Sequence, residues 1–72
     1  MTTNLGKITS VSGSVVHVKF RDKLPPVFGA LSVNDLILEV QGYDDPHTAR
    51  TLAMGSTQGL ARGMTVQDLG HP

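Results

Sequence analysis

Cysteine is absent from the chain, which excludes both a disulfide framework and a thiolate metal site. Its absence fits a reducing compartment. Tryptophan is absent too, and Phe20, Phe28 and Tyr43 are the only aromatic residues, so a core has to be built from aliphatic side chains. Neither sign of charge is in excess. Six Lys and Arg balance six Asp and Glu, for a formal net charge of +0. Such a chain offers no electrostatic footprint for nucleic acid, whose binding rests on neutralised phosphates. Near-zero charge also favours self-association, as in a domain that lives in an assembly. No apolar run approaches the roughly 20 residues that span a bilayer, and the opening MTTNLGK lacks the apolar centre of a secretion signal. The sequence therefore reads as soluble and cytosolic. Its 72 residues suffice for one small domain over 1–72, which would bury only roughly 60% of its unfolded surface.

What the chain does contain is period-two alternation. In GKITSVSGSVVHVKF, residues 6–20, Val16, Val18 and Phe20 alternate with Val15, His17 and Lys19, as a strand with one buried face requires. Ile8 is the clearest inward residue of a preceding strand over Lys7–Val11. Gly13 supplies the permissive backbone for a reversal at Ser12-Gly13-Ser14. A lone hairpin is marginal in water and needs further strands. The sequence offers them at Ala30–Val33, with Leu31 and Val33 inward, and at Leu36–Gln41, with Leu36, Leu38 and Val40 on one face and Ile37, Glu39 and Gln41 on the other. Two more follow at His47–Gly55 and Met64–Leu69.

The connections carry breakers. Pro25-Pro26 can form only a loop or an edge crossing. Asn34-Asp35 and Gly42-Tyr43-Asp44-Asp45-Pro46 are turn signals. The Ser56–Gly63 stretch reads as a compact connection around a buried Leu60, and the polar segment 1–4 is expected to fray. Five or six short strands at this spacing, with no helical period anywhere, predict an all-β fold, a small closed barrel.

Constellations that could carry chemistry are few. Asp44-Asp45-Pro46-His47 sets two carboxylates beside an imidazole, but His17 and His71 are remote in sequence, and the stretch is read as a turn with no metal. Gly55-Ser56-Thr57-Gln58-Gly59 is rich in glycine and hydroxyls, yet no lysine follows Gly59 to make a phosphate-binding P-loop. No G-x-S-x-G motif and no spaced carboxylate pair is present, so no catalytic residue and no cofactor-binding residue is assigned. Ile37 is the exception to the alternation, an aliphatic residue on the face that carries Glu39. It is a lone exposed apolar residue, part of a covered barrel exterior, or part of a subunit contact. Arg50 and Arg62 are either solvated or locally paired, or they serve an intersubunit contact. These three are the candidate interface residues.

GKITSVSGSVVHVKF, LILEVQ and RTLAMGSTQGLARGMTVQDLGHP together resemble the N-terminal barrel domain of the catalytic (beta) subunit of F-type ATP synthases. The first pattern falls on Gly6, Lys7, Ile8, Val11, Gly13, Val15, Val16, Val18 and Phe20. The second, more specific one falls on Arg50–Met54 with Gly59, Leu60, Arg62 and Gly63, and the related alpha subunit lacks this R-T-x-A-M run. The segment between Tyr43 and His47 is shorter and more acidic than the family's turn. The resemblance implies a six-stranded barrel whose role is structural. It would join the barrels of alpha subunits in a hetero-hexameric ring, within a complex peripheral to the membrane that makes ATP from ADP and phosphate on a proton or sodium gradient. The family's P-loop lysine, water-orienting glutamate and magnesium ligands belong to the following domain and have no matching position here. Mg-ATP or ADP would bind there and not to this segment. A small OB-like barrel binding single-stranded nucleic acid or a protein partner is the alternative, but it calls for a basic groove and stacking aromatics.

Overall fold

The computed structural model describes residues 3–72. Six strands follow one another in the chain: β1 Leu5–Ser12, β2 Val15–Phe20, β3 Ala30–Val33, β4 Leu36–Asp45, β5 Thr48–Ala53 and β6 Thr65–Asp68. They close into a barrel in the order β1-β2-β5-β4-β3-β6, every neighbouring pair antiparallel. Closure leaves no free sheet edge to template aggregation. The all-β, six-stranded closed barrel expected from the sequence is the observed fold.

Alternation decides which side chains enter the barrel. Val16, Val18 and Phe20 from β2, Leu31 and Val33 from β3, and Leu38 and Val40 from β4 are buried against Ile8, Ala49 and Val66. Burying an aliphatic or phenyl side chain of this kind is worth about 1.5–3 kcal/mol each relative to exposure. β5 contributes the small side chains Ala49 and Thr51, and the Thr51 hydroxyl donates to the Val16 carbonyl at 2.7 Å. That bond explains how a polar residue sits fully inside. The β1–β2 reversal occurs at Gly13-Ser14, with Gly13 at φ +60°. In β1 the register slips between Ile8 and Ser10, so Thr9 is an extra residue and Val11 faces Val16.

Several boundaries differ from the sequence reading. β4 does not end at Gln41 but runs on through Gly42, Tyr43 and Asp44 to Asp45. Two register shifts, at Val40/Gly42 and Tyr43/Asp45, absorb the residues that looked like turn formers. The turn is confined to Pro46-His47, and β5 is shorter than His47–Gly55. Thr48, which period-two alternation puts on the same face as Arg50, is nevertheless buried at the start of β5. β6 is Thr65–Asp68, with Val66 buried and Met64 half-buried beside the core. Leu60, expected to be buried, is half-buried and packs against the core from the connection. Fraying was expected over 1–4. Residues 1 and 2 lie outside the described residues, and Asn4 is tied down. Its side-chain amide donates to Lys23 O at 2.9 Å and to Asp68 Oδ2 at 3.2 Å, while its carbonyl accepts from Asp68 N–H at 2.9 Å.

Candidate subunit interface

The outer wall made by β2, β5 and β4 carries most of the exposed apolar surface that belongs to strands. Ile37 is 40% exposed, Leu52 39%, and Met54, just past β5, 52%. They adjoin one another because the Met54 N–H donates to the Ile37 carbonyl at 2.9 Å and Leu52 pairs with Glu39, two residues along β4. On the other side Leu52 faces the half-buried Val15. The same wall holds Arg50, the outward residue one step before Leu52 in the period-two pattern. Of the three candidate residues, the structure brings Ile37 and Arg50 onto this wall. Arg62 stands apart, exposed in the β5–β6 connection, whose Gly63 N–H donates to the Ile8 carbonyl on β1 at 2.8 Å.

Arg50 is locally paired. Its Nη1 donates to Asp44 Oδ1 at 3.1 Å, and the other oxygen of Asp44 lies 2.9 Å from His17 Nε2. His17 Nδ1 in turn lies 2.8 Å from Ser10 Oγ. With Nε2–H donating to the carboxylate, Nδ1 is left to accept the serine hydroxyl. Serine, histidine and aspartate in a row are the makings of a nucleophilic relay, but here they lie flat on an open wall. None of the three lines the larger concavity of the surface. Their effect is to tie β1, β2 and the end of β4 together across β5. The guanidinium passes over Gly42, where an added Cβ would sit 2.6 Å from Nη2. This explains why a glycine interrupts β4 at its first bulge. The sequence reading set His17 aside as remote from Asp44 and looked to His47 instead. The barrel order makes the pair, and His47 serves through its backbone, its N–H donating to Asp45 Oδ1 at 2.8 Å and its carbonyl accepting from Phe20 N–H at 2.8 Å. That bond is the chief cause holding the Asp45 carboxyl below its ordinary value of 3.8. No group of three or more His, Cys, Asp or Glu side chains able to hold a metal occurs among the described residues.

A shallow concavity of about 840 Å³ lies over β1 and β2, lined by Lys7, Lys19, Arg21 and Asp22 with Leu5 and His47 among others. Lys7 and Lys19 are direct cross-strand partners, and neither has an acidic partner among the described residues. Two further features escaped the sequence reading. Leu52 and Met54 follow from the same period-two pattern as Arg50 and could have been nominated with it. The exposure and backbone of Phe28, on the β2–β3 connection, had no sequence signal.

The family model described as ATP synthase alpha/beta family, beta-barrel domain matches residues 8–70. An ATP synthase subunit beta 2 from Albidiferax ferrireducens is 48% identical over 71 residues, covering 96% of this chain and 14% of the relative. One from Polaromonas naphthalenivorans is 46% identical over 71 residues, covering 96% of this chain and 15% of the relative. The chain thus spans about one-seventh of the length of these relatives. With a barrel of the matching kind, and similarity to beta subunits along nearly its whole length, the chain belongs to the ATP synthase alpha/beta family, as an N-terminal barrel domain of the beta-subunit type.

Proposed function

We propose that this barrel is the assembly domain of a catalytic beta subunit. It would sit between the barrels of neighbouring alpha subunits and hold an alternating ring together. The observation that carries the reading is the similarity of nearly the whole chain to part of beta subunits joined to a barrel whose outer wall is apolar at Ile37, Leu52 and Met54. On this reading the domain does no chemistry. Nucleotide and magnesium are bound by the domain that follows it in the parent subunit, and the parent complex makes ATP from ADP and phosphate on a transmembrane ion gradient. The complex lies against the membrane only through its assembled partners. Adjoining apolar side chains in a chain of zero formal charge suit a protein contact better than a polyanion. The single-stranded nucleic acid alternative needs exposed aromatics beside its cations, whereas Phe20 at the basic concavity is buried.

The test is direct. The 72-residue chain is expected to hydrolyse no ATP, to show no micromolar ATP binding by calorimetry, and to bind purified alpha subunit. ATP turnover by this chain, or failure to bind alpha subunit, would overturn the proposal.

A further inference from the structure

The connection from β2 to β3 is built more firmly than a loop of its length requires. Leu24 packs against the core and Pro25 is fully buried. The Tyr43 hydroxyl donates to Pro25 O at 2.6 Å, and the Gly29 N–H donates to Pro26 O at 2.9 Å. Val40 then closes a two-way bridge, accepting from Phe28 N–H at 2.8 Å and donating to Gly29 O at 3.0 Å. Held by this frame, Phe28 stands at φ +70°. Its side chain is 60% exposed, more than any other large apolar side chain among the described residues, and Val27 beside it is 41% exposed.

Neither feature serves the barrel. A left-handed φ crowds the Cβ of any L-residue, is uncommon outside Gly, Asn and Asp, and is a genuine outlier for a bulky side chain. A glycine is available one position on, yet Gly29 is not left-handed. It answers a different need, the close approach of Pro26 O, which would lie 2.9 Å from a Cβ at that position. The chain therefore keeps a phenylalanine where the backbone asks for glycine or asparagine, and turns its ring to water. Strain that the surroundings over-determine is characteristic of binding positions. Rigid aromatic side chains presented with little entropy to lose are the usual anchors of protein interfaces.

We infer that Phe28 is the anchor with which this barrel enters an apolar pocket on the barrel domain of a neighbouring alpha subunit. The inference rests on the ring reading proposed above. The partner is argued from the segment itself: Leu24–Leu31 contains no charged residue, so the surface that receives it is apolar and not an acidic or basic strip. A ring of alternating subunits needs two different contact surfaces on each domain, and the β2–β3 connection, bridged to Val40, offers exposed apolar side chains besides those of the β4–β5 wall.

Phe28→Asn relieves the backbone and removes the ring, so stability and association should move apart. The melting temperature of the isolated 72-residue chain is expected not to fall, while its affinity for purified alpha subunit drops at least tenfold. Phe28→Tyr, which keeps the ring, should bind within threefold of the unsubstituted chain, and Phe28→Gly should behave like Phe28→Asn. If Phe28→Asn binds alpha subunit as tightly as the unsubstituted chain, the anchor role is overturned and the ring reading stands. If Phe28→Asn melts at a lower temperature, the ring is structural and the inference is equally overturned. If the unsubstituted chain does not bind alpha subunit, both readings are overturned. Self-association of the chain that Phe28→Asn abolishes, seen by sedimentation, would assign the pocket to a second copy and overturn the choice of partner.

Discussion

Gly6 sets how closely β1 can approach β2. A Cβ there would meet Val18 Cγ1 at 2.7 Å, Phe20 Cε2 at 2.9 Å and the Lys19 carbonyl at 3.0 Å. Both side chains are buried in their places and the carbonyl is backbone, so nothing can give way cheaply. Gly6→Ala is expected to destabilise the chain by about 1–3 kcal/mol, the usual cost of overpacking a filled core, read as a lower urea midpoint. Asp45 works at the same scale by charge. Its carboxylate accepts the His47 N–H, which keeps it ionised below its ordinary value of 3.8. A carboxyl depressed in the folded state contributes stability that is present above the unfolded value and lost as pH falls through the folded one. The thermal midpoint should therefore decline as pH drops below about 4, and Asp45→Ala should flatten that part of the profile. A decline of equal steepness in Asp45→Ala would show that other carboxylates cause it.

Among the elements, β1 and β2 carry a pair that works against them. Lys7 and Lys19 face each other across the ladder, both exposed and with no acidic partner among the described residues. Like charges directly opposite are unfavourable by the same few tenths to about 1 kcal/mol that opposite charges contribute. Lys19→Glu should accordingly raise stability by up to about 1 kcal/mol. The unsubstituted chain should gain from added salt in the same measurement, whereas Lys19→Glu should not. Strand interiors were the legible part of this fold, because alternation such as Val16, Val18 and Phe20 admits only one inward face. The end of β4 was not legible. Gly42, Asp44 and Asp45 look like turn formers because their reasons for standing in a strand come from elsewhere, the Arg50 guanidinium over Gly42 and His17 beside Asp44. Those contacts depend on β5 lying between β2 and β4, and period-two patterning says nothing about which strands are neighbours. Phe28 was illegible for a related reason, since a left-handed backbone is signalled by glycine or asparagine and not by phenylalanine.

For the molecule as a whole, the question is which side of the barrel wall a side chain serves. Val66 reaches the core from a strand of only four residues that joins β1 to β3 and completes the closure. Val66→Ala removes two methyl groups' worth of buried surface and should cost about 1–3 kcal/mol in the isolated chain. Ile37 and Arg50 were read from the sequence as contact residues, and the structure places them on one wall together with Leu52 and Met54. The two leave about 39% and 52% of their surface open to water, and each projects outward. Converting both to lysine should leave the melting temperature within a few degrees of the original, because little buried surface is lost and the charges remain solvated. Binding to alpha subunit should nevertheless disappear, since two unpaired ammonium groups would have to be stripped of water in an apolar contact. The pair of variants thus separates the two sides of the wall. Val66→Ala should lose stability and keep its affinity per folded molecule, while Leu52→Lys with Met54→Lys should do the reverse. A doubly charged wall that still binds alpha subunit would move the contact off β4 and β5 altogether.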